Sequence, residues 1–555
     1  MNKLKGLLLI GAMVLALSSC DMLQSISITF NNSDSNTTTT SSVSSTQSTT
    51  TSTTTSTTTT SSTTTTNEPE KEINFYAIND FHGAIIEDGN RAGIVKVASY
   101  LKEMKESEDA VLINSGDLWQ GSLESNYNRG HLLTDVMNMV QFDCFTLGNH
   151  EFDWGQQYIT ENRERDMDGY STPFLAANIY SFNMANKREG DFANLGEKYT
   201  IRTLENGLKV GIIGVIGSNQ LTSISSHLVD NITFQDPTIT IKQLSNELRT
   251  EQGCDVVVAS CHCDQDDIDE SVANTSNVSG KKYVDAVFCA HSHQNEVKEV
   301  KGVPFIQSAS YGQMIGKVTL KYKDGSCTVD SYGNFYTRSL DVDLDENIQT
   351  LVDGYLSETE GIGDEILGYS TDTFYSADQL PNMVCLAMAN LASINNVDID
   401  YAICNVARNY LYEGNITYSD LYRALPFDNE VYIIETSGEH LLTEASYNYF
   451  FRLDNEAIDM NKTYRVAVID YLATHRNVRR DYDYFPDVNI VGTLRLEEST
   501  FYSYRDMVAD YIRNCPLNMD PYYFSAINGT YGSYFDIDLI DEAINPSAHP
   551  YWYAK

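Results

Sequence analysis

The sequence predicts an α/β protein with two domains. From Ile73 to about Leu340, short apolar runs rich in β-branched residues alternate with amphipathic stretches, and polar residues or glycines bound each run. This alternation is typical of buried strands separated by helices in an α/β sheet. A tyrosine-rich region of mixed helical and strand character follows, from Gly361 to Lys555. With 555 residues, 42% of them hydrophobic, the chain is long enough to bury two separate cores.

The first twenty residues have the composition of an export signal. Two lysines precede an apolar run from Gly6 to Leu17, and the segment ends in Leu17-Ser-Ser-Cys20. A charged start, an apolar run too short to span a bilayer and small residues before a cysteine are typical of a signal peptide. The ending resembles a bacterial lipobox. It implies that residues 1–20 are a lipoprotein signal peptide and that lipidated Cys20 anchors a secreted chain at the outer face of the bacterial cell membrane. A plain signal peptide with a chance cysteine is the alternative.

Residues 21–67 are predicted to form a disordered tether, because Thr37 to Thr66 is almost entirely serine and threonine and has no core to bury. The folded part is expected over residues 68–340 and 361–555, joined by a polar linker or hinge helix at 341–360. The net charge of −40 repels DNA, RNA and anionic lipid head groups. We therefore expect no nucleic-acid polymer as partner, and membrane contact only through the lipid on Cys20.

Apolar runs mark the strands that would build the two domains. In the first domain the predicted strands are Ile73–Ile78, Ala110–Ile113, Val210–Val215, Asp255–Val258 and Val284–Phe288. In the second domain the predicted helices are Leu380–Ile394 and His440–Phe450, and the predicted strands are Tyr432–Glu435 and Tyr464–Asp470. Ligands of α/β sheets bind at the carboxyl ends of the strands, so functional residues are expected directly after these runs.

Five short motifs stand at those positions. They are Asp80-Phe-His82, Gly116-Asp117, Gly148-Asn149-His150-Glu151-Phe152-Asp153, His262 and His291-Ser-His293. Singly, Asp80-Phe-His82 is more often a turn and Gly116-Asp117 is a common pair, whereas Gly148-Asn149-His150-Glu151 is a stronger signal, because Asn-His after a buried strand has no obvious packing purpose. Together they bring carboxylates, an amide and five of the ten histidines to one edge of a sheet, a donor set that suits Zn, Mn or Fe. Two such ions about 3.5–4 Å apart can activate a water for displacement at phosphorus.

The order of these motifs resembles that of the calcineurin-like metallophosphoesterases. The longer forms Asn79–Gly83, Ser115–Gly121 and Gly148–Asp153 resemble the 5′-nucleotidase branch of that family, and the resemblance extends from Ile73 to about Pro486. It implies a four-layer α/β sandwich, followed by an α+β substrate-binding domain that closes over the sandwich. It also implies hydrolysis of phosphoric esters with two divalent metal ions, zinc, manganese or similar.

The resemblance assigns the metal ligands residue by residue. One ion would be held by Asp80, His82, Asp117 and His293, and the other by Asp117, Asn149, His262 and His291, so that Asp117 bridges the two. Cys261 and Cys263 flank His262 and could suggest thiolate ligands. Alternate residues of a strand face opposite sides, however, so these two are expected to point away from the metals. The nine cysteines besides Cys20 form no even framework, which favours small buried side chains over disulfides.

His150 is the predicted catalytic residue that does not bind metal. By resemblance it would stabilise the pentacoordinate phosphate and assist the leaving group, and Asp153 would orient it. The residues themselves support this pairing, because a carboxylate that holds an imidazole sets its tautomer and raises its pKa. The alternative for Asp153 is an acid at the N-terminus of a helix.

Three segments of the second domain resemble the substrate-binding domain of the same family, namely Tyr401–Arg408, Gly414–Tyr418 and Leu425–Asn429. By that resemblance Arg408 and Asn429 would bind polar groups of a nucleotide, and Phe427 would be one of two aromatic residues that sandwich the base. Stacking on an aromatic face is worth about 1–3 kcal/mol per base and tolerates different bases. An ordinary core phenylalanine is the alternative for Phe427.

The second domain also departs from the family pattern. Phe374–Asp378 lacks the expected arginine, and the glycine-rich loop expected after Tyr464–Ala467 is replaced by His475–Tyr484. Tyr484 is our choice for the second aromatic residue, with Tyr482 as the alternative. Three arginines of this segment either supply the missing charge or are simply solvated: Arg476, Arg479 and Arg480.

These observations favour an extracellular phosphoester hydrolase that acts on a small nucleotide. The expected activities are those of a 5′-nucleotidase, a 2′,3′-cyclic-nucleotide phosphodiesterase or both, and UDP-sugars are plausible substrates by the same resemblance. Two alternatives stay open: a phosphohydrolase for a non-nucleotide ester, and a surface binding protein or adhesin with a vestigial site.

Overall fold

A computed structural model describes residues 69–444, 449–452, 458–474, 476–477, 482–495, 503–514, 520–524, 526–527 and 534–535. The predictions for the signal peptide, Cys20, the tether, Arg479 and Arg480 lie outside these residues, as do the side chains of Arg476 and Tyr482. Within the described ranges, no helix combines the length and the apolar character that crossing a bilayer would require.

The first domain contains strands that form two large sheets and one small three-stranded sheet, and helices that pack around them. The strands are β1 (Lys71–Ile78), β2 (Val111–Asn114), β3 (Cys144–Thr146), β4 (Phe174–Leu175), β5 (Ile179–Asn183), β6 (Arg188–Phe192), β7 (Tyr199–Thr203), β8 (Lys209–Ile216), β9 (Ile232–Phe234), β10 (Val256–His262), β11 (Ala286–Cys289), β12 (Asn295–Val300), β13 (Val303–Ser308), β14 (Met314–Lys323) and β15 (Ser326–Tyr336). The helices are α1 (Gly93–Glu108), α2 (Leu123–Tyr127), α3 (His131–Val140), α4 (Gln156–Arg163), α5 (Ser226–Val229), α6 (Pro237–Thr250) and α7 (Glu346–Thr359).

Two six-stranded sheets form the centre of this domain, in the orders β15-β14-β1-β2-β3-β4 and β12-β13-β11-β10-β8-β7. Strands β1 to β4 are mutually parallel, and so are β8, β10, β11 and β13. The carboxyl ends of neighbouring parallel strands therefore lie at a common edge in each sheet, which is where ligands of α/β sheets bind.

The two sheets pack face to face. Phe75 and Val111 of the first sheet share one apolar cluster with Val210 and Phe288 of the second. Helices α1 and α3 cover the outer face of the first sheet, and α6 covers the outer face of the second, where it packs against the cluster that contains Cys261 and Cys263. The predicted four-layer arrangement, helix on sheet on sheet on helix, is confirmed.

The segment predicted as a linker contains helix α7, which packs on the first domain. Ile348 and Val352, one helical turn apart, lie in the same apolar cluster as α1 and α3. The Tyr355 hydroxyl donates a hydrogen bond to Asp135 Oδ2 at 2.6 Å. The apolar i, i+4 pair that secures the helix is visible in the sequence. The chain crosses to the second domain after Thr359.

The second domain is built on a five-stranded sheet of order β20-β17-β21-β19-β24. The described strands of the whole domain are β16 (Ile366–Ser370), β17 (Tyr401–Cys404), β18 (Gly414–Thr417), β19 (Val431–Ser437), β20 (Tyr449–Arg452), β21 (Thr463–Ile469), β22 (Arg476–Asn477), β23 (Tyr482–Asp483), β24 (Asn489–Leu494), β25 (Ala526–Ile527) and β26 (Tyr534–Phe535). Its helices are α8 (Gln379–Ile394), α9 (Tyr418–Ala424), α10 (Gly438–Glu444), α11 (Asp470–Thr474) and α12 (Tyr504–Asn514).

One predicted element of this domain was wrong at its C-terminal end. The helix predicted over His440–Phe450 is described over Gly438–Glu444, but Tyr449 and Phe450 belong to β20, which pairs antiparallel with β17. Aromatic residues favour strands over helices, and here a neighbouring strand was available to pair with them.

Candidate active site

Both sheets of the first domain deliver polar residues to one edge. The seven predicted metal ligands and His150 stand at or shortly after the carboxyl end of a parallel strand: Asp80 and His82 after β1, Asp117 after β2, Asn149 and His150 after β3, His262 at the end of β10, and His291 and His293 after β11. The convergence is close, because the backbone N–H of His291 donates to Asp80 Oδ2 at 2.9 Å across 211 residues of sequence.

The backbone at this edge is strained. Five of the seven predicted metal ligands are non-glycine residues in the left-handed region, with φ of 47° at Asp80, 47° at His82, 53° at Asp117, 80° at His291 and 60° at His293. This conformation costs an L-residue about 1–3 kcal/mol. Strain concentrated in the residues that carry the polar side chains is typical of a functional site rather than of a packing core.

Asp80, His82 and His293 form a first group whose ligand atoms lie within 4.8 Å of one another. The two Nε2 atoms of His82 and His293 are 3.0 Å apart, and the backbone carbonyl of Gln120 accepts the Nδ1–H of His82 at 2.9 Å. That bond fixes the tautomer and leaves the Nε2 lone pair directed at the group. Burial lowers the pKa of His82 to about 4 and lowers the pKa of His293, so both are neutral, as metal ligands must be.

Asp117, His262 and His291 form a second group, again with ligand atoms within 4.8 Å of one another. Asn149 Oδ1 lies 3.1 Å from His262 Nε2 and 3.0 Å from His291 Nδ1, so it completes this group. The backbone carbonyl of Ser115 accepts the Nδ1–H of His262 at 2.8 Å and leaves Nε2 directed inward.

Asp117 lies between the two groups. Its Oδ2 is 3.2 Å from His262 Nε2 and 3.9 Å from His82 Nε2, and its Oδ1 accepts the backbone N–H of His150 at 2.9 Å. Burial opposes ionisation of this carboxyl, but the neighbouring His262 and His150 outweigh burial and hold its pKa well below the ordinary value. A permanently ionised carboxylate in this position can serve both groups.

The residues present fit two divalent cations. Two carboxylates, four imidazoles and one amide oxygen converge, a mixture of hard and borderline donors that suits Zn, Mn or Fe. The amide Nδ2 of Asn149 is buried and has no hydrogen-bond partner, because its Oδ1 is the atom that faces the two imidazoles. Burying these donor atoms together is unfavourable unless positive charge is bound among them: burial lowers the pKa of His262, but Asp117 outweighs burial and raises that pKa to about 9.

Glu151 is a site residue that the sequence did not assign. Its Oε2 accepts the backbone N–H groups of Asp117 at 2.9 Å and Gly148 at 2.7 Å, and its Oε1 accepts that of Leu118 at 2.9 Å. The side chain is fully buried and ties the loop after β2 to the loop after β3. The signal was present as a glutamate inside the Gly148–Asp153 motif, but two of its partners lie 33 and 34 residues away in sequence.

His150 and Asp153 are paired as expected, with His150 Nδ1 2.8 Å from Asp153 Oδ2. On the side of the second domain, the ring of Phe427 stacks on the imidazole of His150, with centroids 5.4 Å apart and an interplanar angle of 21°. The Arg408 guanidinium carbon lies 4.9 Å from the centroid of the same phenylalanine ring. Phe427 is therefore not an isolated core residue, and it brings the second domain into contact with the histidine predicted to be catalytic.

A cavity of about 390 Å³ opens beside this pair, between the two domains. Its walls include His150, Asp153, Trp154 and His227 of the first domain and Asn405, Arg408, Phe427, Asn429, Asp470 and Tyr471 of the second. Tyr484 instead packs against the core of the second domain, edge-on to Tyr471, with ring centroids 6.4 Å apart. Among the described residues, Tyr471 is the tyrosine of this region that faces the cavity.

Comparisons with known proteins agree with this geometry. Residues 73–295 match the family described as calcineurin-like phosphoesterase, and residues 366–444 match the family described as 5′-nucleotidase, C-terminal domain. Endonuclease YhcR of Bacillus subtilis is 25% identical over 404 residues, 66% of this chain and 32% of that protein. Cell wall protein Lmo0130 of Listeria monocytogenes is 24% identical over 476 residues, 72% of this chain and 60% of that protein. The chain thus spans less than two thirds of each of these relatives.

A 5′-nucleotidase precursor from Thermus thermophilus has the same fold, with a TM-score of 0.63 at 17% identity over 80% of this chain and 96% of that one. The fold class and the family predicted from the motifs are confirmed. Residues 73–295 and 366–444 together make up more than half of the chain, which therefore belongs to the calcineurin-like phosphoesterases that carry a 5′-nucleotidase C-terminal domain.

Proposed function

We propose that this chain is an extracellular hydrolase with two metal ions that acts on nucleotides, as a 5′-nucleotidase, a 2′,3′-cyclic-nucleotide phosphodiesterase or both. The observation that carries the proposal is the meeting of two ligand groups at Asp117, directly beside a histidine–aspartate pair and an interdomain cavity. Hydrolysis of a nucleoside 5′-monophosphate releases phosphate and nucleoside, and a 2′,3′-cyclic nucleotide is first opened by water to a nucleoside monophosphate before the same two products are released.

In this proposal Asp80, His82 and His293 would hold one divalent ion, Asn149, His262 and His291 would hold the other, and Asp117 would be shared by both. Ions of this kind, when bound, would supply a nucleophilic hydroxide and neutralise charge on the phosphoryl oxygens. Glu151 ties the loop after β2 to the loop after β3, which keeps the side chains of Asp117 and Asn149 in one ligand group.

His150 acts on the phosphoryl group from the side of the second domain. Asp153 accepts its Nδ1–H, which fixes the tautomer and favours the protonated imidazole. The backbone N–H of His150 is bonded to Asp117 Oδ1, so the position of the ring is tied to that of the bridging carboxylate. A histidine held in this way stabilises the charge that develops at phosphorus and can deliver a proton to the leaving oxygen.

The nucleoside occupies the interdomain cavity. Arg408 and Asn429 offer hydrogen bonds to its polar groups, and Phe427 offers an aromatic face for the base. We assign the second aromatic contact to Tyr471, which lines the cavity, and give Tyr484 a supporting role behind it. Because Phe427 lies on His150 here, binding of a base requires this ring to turn away from His150 about its side-chain bonds while the backbone of its loop keeps its place.

The proposed location is the outer face of the bacterial cell membrane, with Cys20 lipidated and residues 21–67 as a tether. The export-signal composition of the first twenty residues supports it. The similarity to a cell wall protein points in the same direction.

The test is phosphate release by the whole chain from AMP, 2′,3′-cyclic AMP, UDP-glucose and an aryl phosphate, with Mn or Zn and with a chelator. Asp117→Ala is the inactive variant, and Asp191→Ala, an exposed aspartate of β6, is its matched control. We expect metal-dependent turnover of at least one nucleotide, lost only in Asp117→Ala. Turnover of the aryl phosphate alone would leave a phosphohydrolase for a non-nucleotide ester. Absence of both turnover and bound metal would leave a surface binding protein.

A further inference from the structure

One loop of the second domain forms a wall of the substrate cavity and also contacts the first domain. This loop, Leu425–Asn429, follows α9 and leads into β19, and we call it the recognition loop. Phe427 and Asn429 line the cavity, and Phe427 stacks on His150. The loop has no regular secondary structure, so its shape must be fixed by bonds from outside it.

Arg505 supplies several of those bonds. It stands in the first turn of α12, is 3% exposed, and donates from Nη1 to the carbonyls of Leu425 at 3.0 Å and Phe427 at 3.1 Å. Its Nη2 donates to Asp428 Oδ1 at 2.6 Å. The guanidinium lies flat against Tyr422, with its carbon 3.5 Å from the ring centroid. One buried side chain thus binds three residues of a five-residue loop.

The first domain holds the same loop from the opposite side. Arg129 forms an ion pair with Asp428 Oδ2, the oxygen that Arg505 does not use. The side-chain amides of Gln120 and Asn126 both donate to the carbonyl of Pro426, at 2.9 and 3.1 Å. Asp428 therefore joins an arginine of each domain. The two arginines outweigh the burial of its carboxyl and lower its pKa.

We propose that Arg505 is a positioning residue for substrate recognition, which fixes the recognition loop so that Phe427 and Asn429 face the nucleoside, and that Asp428 shares this task with Arg129 across the domain boundary. The proposal rests on the proposed function, because the group that the loop serves is the nucleoside of a nucleotide. The metal ligands belong to the first domain, so loss of the loop geometry weakens nucleoside binding and leaves chemistry at the metals intact.

Arginine is required here for a geometric reason. The planar guanidinium presents N–H groups in a fixed fork that reaches two carbonyls and a carboxylate at once, while its face packs on Tyr422. A lysine keeps the positive charge beside Asp428 but offers a single ammonium that cannot satisfy all three acceptors. Arg505→Lys therefore removes the hydrogen bonds that fix the shape of the loop but keeps the positive charge beside Asp428.

The experiment compares the whole chain with Arg505→Lys and with Arg513→Lys. Arg513 lies on the same helix and pairs with Glu365 and Asp510 on the surface, so it is a matched control. Steady-state kcat and KM are measured for AMP and for 4-nitrophenyl phosphate, and thermal unfolding is followed for each variant. We expect Arg505→Lys to raise KM for AMP about tenfold and to keep kcat for AMP within about twofold. Both kinetic constants for 4-nitrophenyl phosphate should stay unchanged in this variant. Arg513→Lys should leave kcat and KM unchanged for both substrates.

A second comparison tests the path through Asp428. Asp428→Asn is expected to raise KM for AMP, and combining it with Arg505→Lys is expected to add less than the sum of the two effects, because both act through one contact. An unchanged KM for AMP in Arg505→Lys would overturn this inference and leave the proposed function standing. An equal loss of kcat/KM for both substrates, together with a lower unfolding temperature, would do the same. Absence of nucleotide turnover in the unsubstituted chain would overturn the proposed function and this inference together.

Discussion

Glu151→Gln tests whether the site depends on a carboxylate that touches neither metal nor substrate. In the structure two N–H groups share Oε2 and a third is bonded to Oε1. Glutamine has the same shape, but its amide nitrogen must replace one oxygen and face an N–H donor. Each hydrogen bond to a charged group contributes about 1.5–3 kcal/mol, and a buried donor left without a partner costs about 1–3 kcal/mol. We therefore expect the first domain to lose about 2–4 kcal/mol of unfolding free energy.

The same change should weaken the metal site, because residues that hold metal ligands in place typically affect affinity by about 10–100-fold. Urea unfolding of the metal-free chain and competition with a chelator give the two quantities. Measurement at pH 8 keeps the carboxyl ionised, since burial and the neighbouring Asp117 raise its pKa to about 7. Glu161→Gln, an exposed change on α4, is the control. Unfolding free energy and metal affinity that match this control would refute the assigned role of Glu151.

Three further changes probe separate parts of the site. Asp153→Asn should lower kcat for AMP about 100-fold with metal content unchanged, because the amide no longer favours a protonated His150, and metal analysis beside kinetics checks this. Tyr471→Ala should raise KM for AMP more than Tyr484→Ala does, because the first ring lines the cavity. Gly116→Ala should reduce metal content, because its φ is +99° and an added Cβ would lie 2.6 Å from a ring nitrogen of a ligand histidine.

Each of these outcomes has a counterpart that would contradict it. Loss of bound metal in Asp153→Asn would show that the His150–Asp153 pair is part of the metal site and not a separate pair of catalytic groups. A larger effect of Tyr484→Ala would return the second aromatic contact to the residue predicted from sequence. Gly207→Ala, also at a positive φ but with open space around its Cβ, is the control for Gly116→Ala, and equal metal loss in both would remove the steric argument.

The first domain was predictable because two local signals coincide in it. β-Branched apolar runs such as Val256–Val258 mark strands that are buried on both faces, and polar motifs begin where the runs end. Since parallel strands align their carboxyl ends, residues as distant as Asp80 and His291 could be placed together from sequence alone. The assignment of individual ligands to individual ions stays a prediction, although each of the two groups of donor atoms contains three of the four residues assigned to one ion.

The parts that sequence did not reveal depend on contacts between distant loops. Glu151 has two partners on the loop after another strand, and Asp428 is bound by arginines from both domains. Glu151 lies inside a motif that the sequence singles out, and Asp428 lies in a segment that resembles the substrate-binding domain, but the local sequence does not show which distant groups either carboxylate binds. The ring of Tyr471 lines the cavity, whereas the ring of Tyr484 packs against the core of the second domain. This difference is decided by packing of the second domain, so the sequence alone does not reveal it.

Metal stoichiometry is the most direct test of the central claim, that two ions share Asp117. The whole chain, purified and equilibrated with Mn or Zn, would be analysed for bound metal beside Asp117→Asn. We predict two bound ions per chain and fewer than one per chain in Asp117→Asn. Removing the shared carboxylate charge lowers the metal affinity of both ligand groups. One ion per chain, or loss of a single ion in the variant with the other held at full affinity, would contradict it.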